Sequence, residues 1–264
     1  MKIVVCAKQV PDTTEVKLDP KTGTLIRDGV PSIINPDDKA GIEAALQLKE
    51  AVPGSTVTVV SMGPPQADVA LREALAMGCD EAILVTDRAF GGADTWATSS
   101  TIAAALKKID YDVIITGRQA IDGDTAQVGP QIAEHLGLPQ VSYAENIEVD
   151  GDSLKVQRQF EDRYHIIKVK MPCVITALAE LAEPRYMTVS GIVAAYDEKE
   201  VKVWGLEDLK DTVDEANIGL KGSPTRVKQS FTKPLKPAGT VLKDLTPDEA
   251  VDAIVAKLKE KYII

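Results

Sequence analysis

The sequence predicts an α/β fold: a mainly parallel five-stranded sheet with helices on both faces, added β-hairpins, and an extended C-terminal arm that ends in a helix. Three observations carry this expectation. Short apolar, β-branched runs alternate with helical patterns through the first two thirds of the chain; two segments break that rhythm with turn residues between short alternating pieces; and after about Gly191 the alternation stops. Strands buried on both faces read as continuous apolar runs, and strand–helix alternation folds into parallel sheets.

The expected strands are Ile3 to Ala7, Val57 to Ser61, Ala82 to Thr86, Val113 to Thr116 and Cys173 to Ala177. Between them, Asp37 to Ala51, Pro65 to Met77, Asp94 to Ile109 and Asp124 to Leu136 each place apolar residues at three-to-four spacing behind an Asp or Pro start, which predicts helices. Glu15 to Arg27, with Asp19-Pro20-Lys21-Thr22-Gly23 at its centre, predicts one hairpin. Asn146 to Lys170, around Asp150-Gly151-Asp152, predicts a second. Beyond Gly191 the chain carries Gly222-Ser223-Pro224 and Lys233-Pro234-Leu235-Lys236-Pro237, and only Thr246 to Tyr262, opened by Thr246-Pro247-Asp248-Glu249, predicts a firm helix. The expected division is therefore an α/β domain over residues 1–190 and an arm over 191–264. Val201, Val203, Trp204, Leu206 and Phe231 give that arm apolar anchors that fit a chain laid along a partner better than a disordered tail.

Charge narrows the function. A formal net charge of −10, from 40 acidic against 30 basic residues, argues against an electrostatic hold on nucleic acid or on an anionic membrane. No stretch approaches the roughly 20 apolar residues that cross a bilayer, and the opening apolar run is too short for a secretion signal, so the expectation is a soluble, cytoplasmic protein. Cys6, Cys79 and Cys173 stand singly in strand or helix-end segments and read as buried, inert thiols. With only His135 and His165, far apart, neither a metal site nor a His-dependent catalytic triad is expected.

In open parallel sheets, ligands bind outside the carboxyl ends of the strands. The most informative strand-end segment is Gly117-Arg118-Gln119-Ala120-Ile121-Asp122-Gly123-Asp124-Thr125-Ala126-Gln127-Val128-Gly129-Pro130, which joins a glycine-containing turn to an expected helix start. Helix N-terminal amides bind phosphate without needing lysine, and Gly123 would let the backbone approach closely. The alternative is that Asp122, Asp124 and Thr125 only cap a helix; two aspartates beside a phosphate should in any case point away, cap amides or hold sugar hydroxyls. Three further loops, at Ala7-Lys8-Gln9-Val10-Pro11-Asp12, Asn35-Pro36-Asp37-Asp38 and Ser61-Met62-Gly63-Pro64-Pro65, would border the same crevice. The P-loop and Rossmann glycine motifs are both missing. Gly91-Gly92-Ala93-Asp94-Thr95 partly resembles the phosphate loop of ATP pyrophosphatases, but Phe90 stands where that motif has serine and the loop does not follow the first strand.

Residues 117–137 (GRQAIDGDTAQVGPQIAEHLG) closely resemble the signature of electron transfer flavoprotein beta subunits. The resemblance runs nearly end to end, through VCAKQV at 5–10, INPD at 34–37, ALAMGCD at 74–80, Pro172 to Ala177, and Glu183-Pro184-Arg185-Tyr186. It implies a five-stranded parallel core, an obligate heterodimer with an alpha subunit that carries its own FAD, and a C-terminal extension embracing that subunit. Its adenine-nucleotide site, transferred by matching motifs, implicates Ala7, Asn35, Pro36, Asp37, Asp38, Met62 and Gly117 through Val128. One branch of the family holds a structural AMP there; an electron-bifurcating branch holds a second FAD that accepts hydride from NADH. Gly123 and Ala126 stand where AMP-type members tend to have aspartate and asparagine, and the sequence resembles the bifurcating form. That form implies an electron-carrier subunit active only in complex, passing one electron of each pair to ferredoxin or flavodoxin and the other, through the alpha-subunit FAD, to an acyl-CoA dehydrogenase. Arg118 would stabilise a reduced flavin or its diphosphate, or else be a surface arginine. Val189, Ser190, Gly191 and Ile192 match the family's partner-recognition loop, with Val189 where a leucine is usual; a buried strand end would look the same.

Overall fold

The computed structural model describes residues 1–12, 31–228, 236–237 and 239–264, and the chain falls into two compact units, Met1–Lys228 and Gln229–Ile264. The hairpin expected over Glu15 to Arg27 lies wholly outside the described residues, as do Phe231 and residues 233–235.

The first unit opens with strand β1 (Lys2–Cys6), then a small antiparallel ribbon of β2 (Gln9–Pro11) and β3 (Ser32–Ile34), helix α1 (Pro36–Ala51), β4 (Thr56–Met62), α2 (Asp68–Met77), β5 (Glu81–Val85), α3 (Thr95–Leu106), β6 (Val113–Gly117) and α4 (Val128–Leu136). Next come β7 (Gln140–Asp150), β8 (Ser153–Gln159), β9 (Tyr164–Lys170), β10 (Cys173–Ala177), α5 (Val189–Asp197), β11 (Val201–Trp204), and the short helices α6 (Leu206–Leu209) and α7 (Gly219–Gly222).

The main sheet has nine strands in the order β11-β5-β4-β1-β6-β10-β7-β8-β9, which corrects the expected five. The five strands read from the sequence are its contiguous centre, β5-β4-β1-β6-β10, paired in parallel throughout. Beyond them β11 adds in parallel to β5 at one edge and β7 in parallel to β10 at the other. The second half of β7 then turns antiparallel with β8, and β8 with β9, around the Asp150-Gly151-Asp152 turn. That meander is the second expected hairpin with one more strand, and Gly151 has the positive φ of 66° that its turn requires.

Successive side chains of a strand point to opposite faces. Ile3 and Val5 of β1 therefore pack with Ile42 and Leu46 of α1 and Leu71 and Leu75 of α2, whereas Val4 and Cys6 pack with Ile102 and Leu106 of α3 and Ile132 of α4. Helices thus cover both faces, as expected. All three cysteines are free and buried, and burial pushes the thiols of Cys6 and Cys79 up to about 12 and that of Cys173 up to about 11, which makes them inert.

Residues 191–228, assigned from the sequence to the arm, belong to the compact unit. Helix α5 lies on α2 so closely that a Cβ on Gly191 would stand 2.5 Å from the Ala76 carbonyl oxygen, and Arg72 donates to the Ala195 carbonyl at 2.6 Å. The segment leading into α5 is fixed by Arg185, whose Nε and Nη2 reach the buried Glu43 carboxylate at 2.8 and 2.9 Å. Burial opposes ionisation of Glu43, but the arginine outweighs it and holds the carboxyl below its ordinary range.

The second unit contains α8 (Pro247–Glu260), where Thr246 and Glu249 exchange the reciprocal hydrogen bonds of a capping box, as the sequence predicts. Among the described residues, no helix is long and apolar enough to cross a membrane.

Candidate functional site

After β1 the chain proceeds to β4 on one side; it later crosses from β5 to β6 on the other side of β1. The strand order therefore reverses between β1 and β6, and the crevice outside their carboxyl ends is the topological switch point where open sheets bind ligands. Ala7 and Lys8 follow β1, and the Gly117–Val128 segment follows β6.

The N-terminus of α1 joins these two loops. Asp38, fully buried, accepts the Lys8 amide at 2.8 Å with one carboxylate oxygen and the Gly117 amide at 2.8 Å with the other. A side chain on Gly117 would begin 2.2 Å from that carboxylate, so only glycine fits. Asn35 precedes α1 but its side chain does not cap the helix. It spans to the β6 loop instead, donating to the Gln119 carbonyl at 2.8 Å and accepting the Ile121 amide at 3.1 Å. Asp37 lies 3.4 Å from both the Gln119 amide and Arg118 Nε, while Pro36 is exposed at the first helical position. Burial pushes the Asp38 carboxyl up to about 7, against the pull of the Lys8 and Gly117 amides; burial also raises Asp37, against Arg118.

The amides of Lys8, two residues past β1, and of Gly117, the last residue of β6, are thus occupied by Asp38; farther along, the loop is arranged differently. Here the structure corrects the expected helix start at Asp124. The amides of Gly123 and Asp124 both donate to the Ala120 carbonyl, at 3.1 and 2.9 Å, and α4 begins only at Val128. Asp122, Asp124 and Thr125 therefore do not cap it; the residue at the cap is Gln127, whose side chain bonds Thr95 Oγ1 at 3.0 Å. Asp124 and Ala126 both have φ of 51°, and Gln127 returns to φ −112°, ψ −30°. Such alternation of hand turns successive N–H groups toward one side, the arrangement of an anion nest. The amides from Thr125 through Gly129 meet no acceptor among the described residues. Gly129 allows α4 this position, because a Cβ there would lie 2.4 Å from Thr116 Oγ1.

The two aspartates of the loop are engaged elsewhere. Asp122 pairs with Lys8 Nζ at 2.7 and 2.9 Å through its two oxygens, and Asp124 accepts from the Gln119 amide group at 3.0 Å. Arg118 stands between Asp37 and the Tyr143 ring, 5.9 Å from its centroid, on the β10–β7 side of the loop. Direct bonds thus join Asn35, Asp37 and Asp38 to Gly117 through Ile121, and Ala7 is tied to β4 through the Val60 carbonyl, next to Ser61 and Met62. The sequence places Lys8 in a loop bordering the crevice but assigns it no role; its pairing with Asp122 is what the structure adds. Ser61, which opens another of the bordering loops, has its Oγ buried near the end of β4 with no partner among the described residues. The glycine-rich segment at Gly91 is structural: Asp94 caps α3 through the Ala97 amide.

The residues expected to dock a partner form the first turn of α5, capped by Thr188, and not a loop. Val189 is 80% exposed and Ile192 40%, Ser190 is exposed, and Gly191 faces α2. Val189 is therefore not a buried strand end.

Residues 22–209 match the family model of the electron transfer flavoprotein domain. Over the full length of both chains, the protein is 62% identical to an electron transfer flavoprotein subunit beta from Clostridium acetobutylicum and 55% identical to the caffeyl-CoA reductase-Etf complex subunit CarD of Acetobacterium woodii. It is 49% identical, again across both full lengths, to the acryloyl-CoA reductase electron transfer subunit gamma of Anaerotignum propionicum. With more than half of the chain inside the family model and relatives of this identity matched end to end, the chain belongs to the electron transfer flavoprotein family, as a beta subunit.

Proposed function

We propose that this subunit binds FAD in the crevice between the ends of β1 and β6, takes hydride equivalents from NADH there, and works only as a heterodimer with an alpha subunit carrying a second FAD. The observation that carries this reading is the run of unpartnered amides from Thr125 through Gly129, with the hand-alternating backbone at Ala126 and Gln127 and the N-terminus of α4 directly behind it. A diphosphate is the anion that several converging amides and a helix dipole fit. Two further features support an adenine-containing cofactor: the unpartnered Ser61 Oγ beside the crevice, and the open space around Gly123, where a Cβ would meet nothing within 4 Å.

In this reading the amides of 125–129 hold the diphosphate, Asn35 and Asp38 keep the loop in place, and Ala7 and Met62 line the β1–β4 side. The bound flavin would supply two-electron acceptance from NADH and one-electron release; the protein supplies position and electrostatics. Arg118, already paired with Asp37, serves through its residual charge at the crevice edge. One electron of each pair would pass to ferredoxin or flavodoxin and the other through the alpha-subunit FAD to an acyl-CoA dehydrogenase or reductase, in the cytoplasm. Relatives named for caffeyl-CoA and acryloyl-CoA reductase systems support that class of partner. Exposed Val189 and Ile192 are proposed to dock it, and the arm with α8 to wrap the alpha subunit.

The test is a paired substitution, Gly123→Asp with Ala126→Asn, in the intact heterodimer. The backbone at Ala126 accepts asparagine, which tolerates positive φ. Loss of the beta-site flavin and of NADH oxidation, with the alpha-site flavin retained, is expected. Retention of both flavins would contradict the assignment.

A further inference from the structure

We propose that Lys8 is a positioning residue for the cofactor, acting by cancelling the charge of Asp122 and not by touching the phosphates. This inference rests on the adenine-cofactor reading of the same crevice.

The loop and its supports place four carboxylates, Asp37, Asp38, Asp122 and Asp124, around a site meant for an anion. Each is answered differently. Asp38 is held by two backbone amides, Asp37 by Arg118, and Asp124 by the side-chain amide of Gln119. Asp122 is met by Lys8 alone among the described side chains, with Nζ 2.7 and 2.9 Å from its two oxygens. Its side chain is 8% exposed, so water screens it poorly, and it lies three residues before the first free amide of the nest. An unpaired carboxylate there would oppose the arriving diphosphate across a short, weakly screened distance.

The geometry also argues against Lys8 as a mobile phosphate ligand. Its main chain is fixed on both sides, the amide on Asp38 at 2.8 Å and the carbonyl on the Asn35 amide at 2.9 Å. Its ammonium is already committed to both oxygens of one carboxylate, and taking it to a phosphate would leave Asp122 buried and unpaired.

A double-mutant cycle separates the two roles. FAD binding is measured by calorimetry on the intact heterodimer after removal of its beta-site nucleotide, for the wild type, Lys8→Met, Asp122→Asn, the double variant and Lys8→Arg. A lost charge partner at a binding site costs roughly tenfold or more in affinity. Lys8→Met should therefore bind at least about tenfold more weakly, while Asp122→Asn, the double variant and Lys8→Arg stay within about threefold of the wild type. A Lys8→Met protein that fails to fold beside a double variant that folds and binds normally also supports the proposal. A double variant as weak as Lys8→Met, or one that fails to fold, overturns it, as does full binding by Lys8→Met. If the wild-type pair binds no adenine nucleotide at all, the site reading itself falls. Binding by the wild type without rescue in the double variant removes only the role of the ion pair.

Discussion

The Asp38 carboxylate accepts the Gly117 amide at 2.8 Å, so a residue in the first turn of α1 closes the end of β6, about eighty positions away. Its other oxygen does the same for Lys8 at the end of β1. The position that a bare switch point would offer to an anion is therefore filled from within, and among the described residues the amides that meet no acceptor are those from Thr125 through Gly129.

Burial raises Asp38 to about 7, far above its ordinary 3.8. A carboxyl raised in the folded state binds its proton more tightly there than in the unfolded chain, so stability from this group is fully present below 3.8 and is lost as pH climbs through about 7. Difference infrared spectra should show a buried protonated carboxyl at pH 5.5 that is gone by about pH 8.5 and absent from Asp38→Asn. A spectrum without that band would show Asp38 ionised throughout.

Gly129→Ala tests the seat of α4. The new methyl meets Thr116 Oγ1 at 2.4 Å and Thr176 Cγ2 at 2.9 Å, with Thr116 Cβ 3.5 Å away. Overpacking of this kind costs about 1–3 kcal/mol, read as a lower midpoint in urea, and displacing the helix start should weaken nucleotide binding in parallel. Unchanged stability would mean that α4 yields without cost.

Val189→Asp places a charge on the most exposed apolar residue of the α5 turn. Electron delivery to the acyl-CoA partner should fall about tenfold or more, with the flavin content and NADH oxidation by the pair unchanged. Unchanged delivery would remove this turn from the interface.

Much of this architecture is legible in the sequence. The central strands announce themselves because burial on both faces leaves runs such as residues 113–115 wholly apolar. Edge strand β11 does not: only Val201 of its four residues is buried, and Lys202 and exposed Val203 read as irregular chain. The parallel half of β7 is hidden for a related reason, since its pairing with β10 follows an intervening meander that local pattern cannot bridge. In the site, the loop and its glycines were visible. The helix start was misplaced because Asp122, Asp124 and Thr125 are ordinary capping residues, while bonds from distant residues such as Asn35 and Lys8 hold the segment out of the helix. Long-range side-chain bonds have no local signature.

The most direct test is a count of released cofactors from the heterodimer, isolated intact and denatured. Two FAD per pair is the predicted result, one from each subunit. One FAD per pair, whether alone or accompanied by AMP, would contradict a flavin at the end of β6.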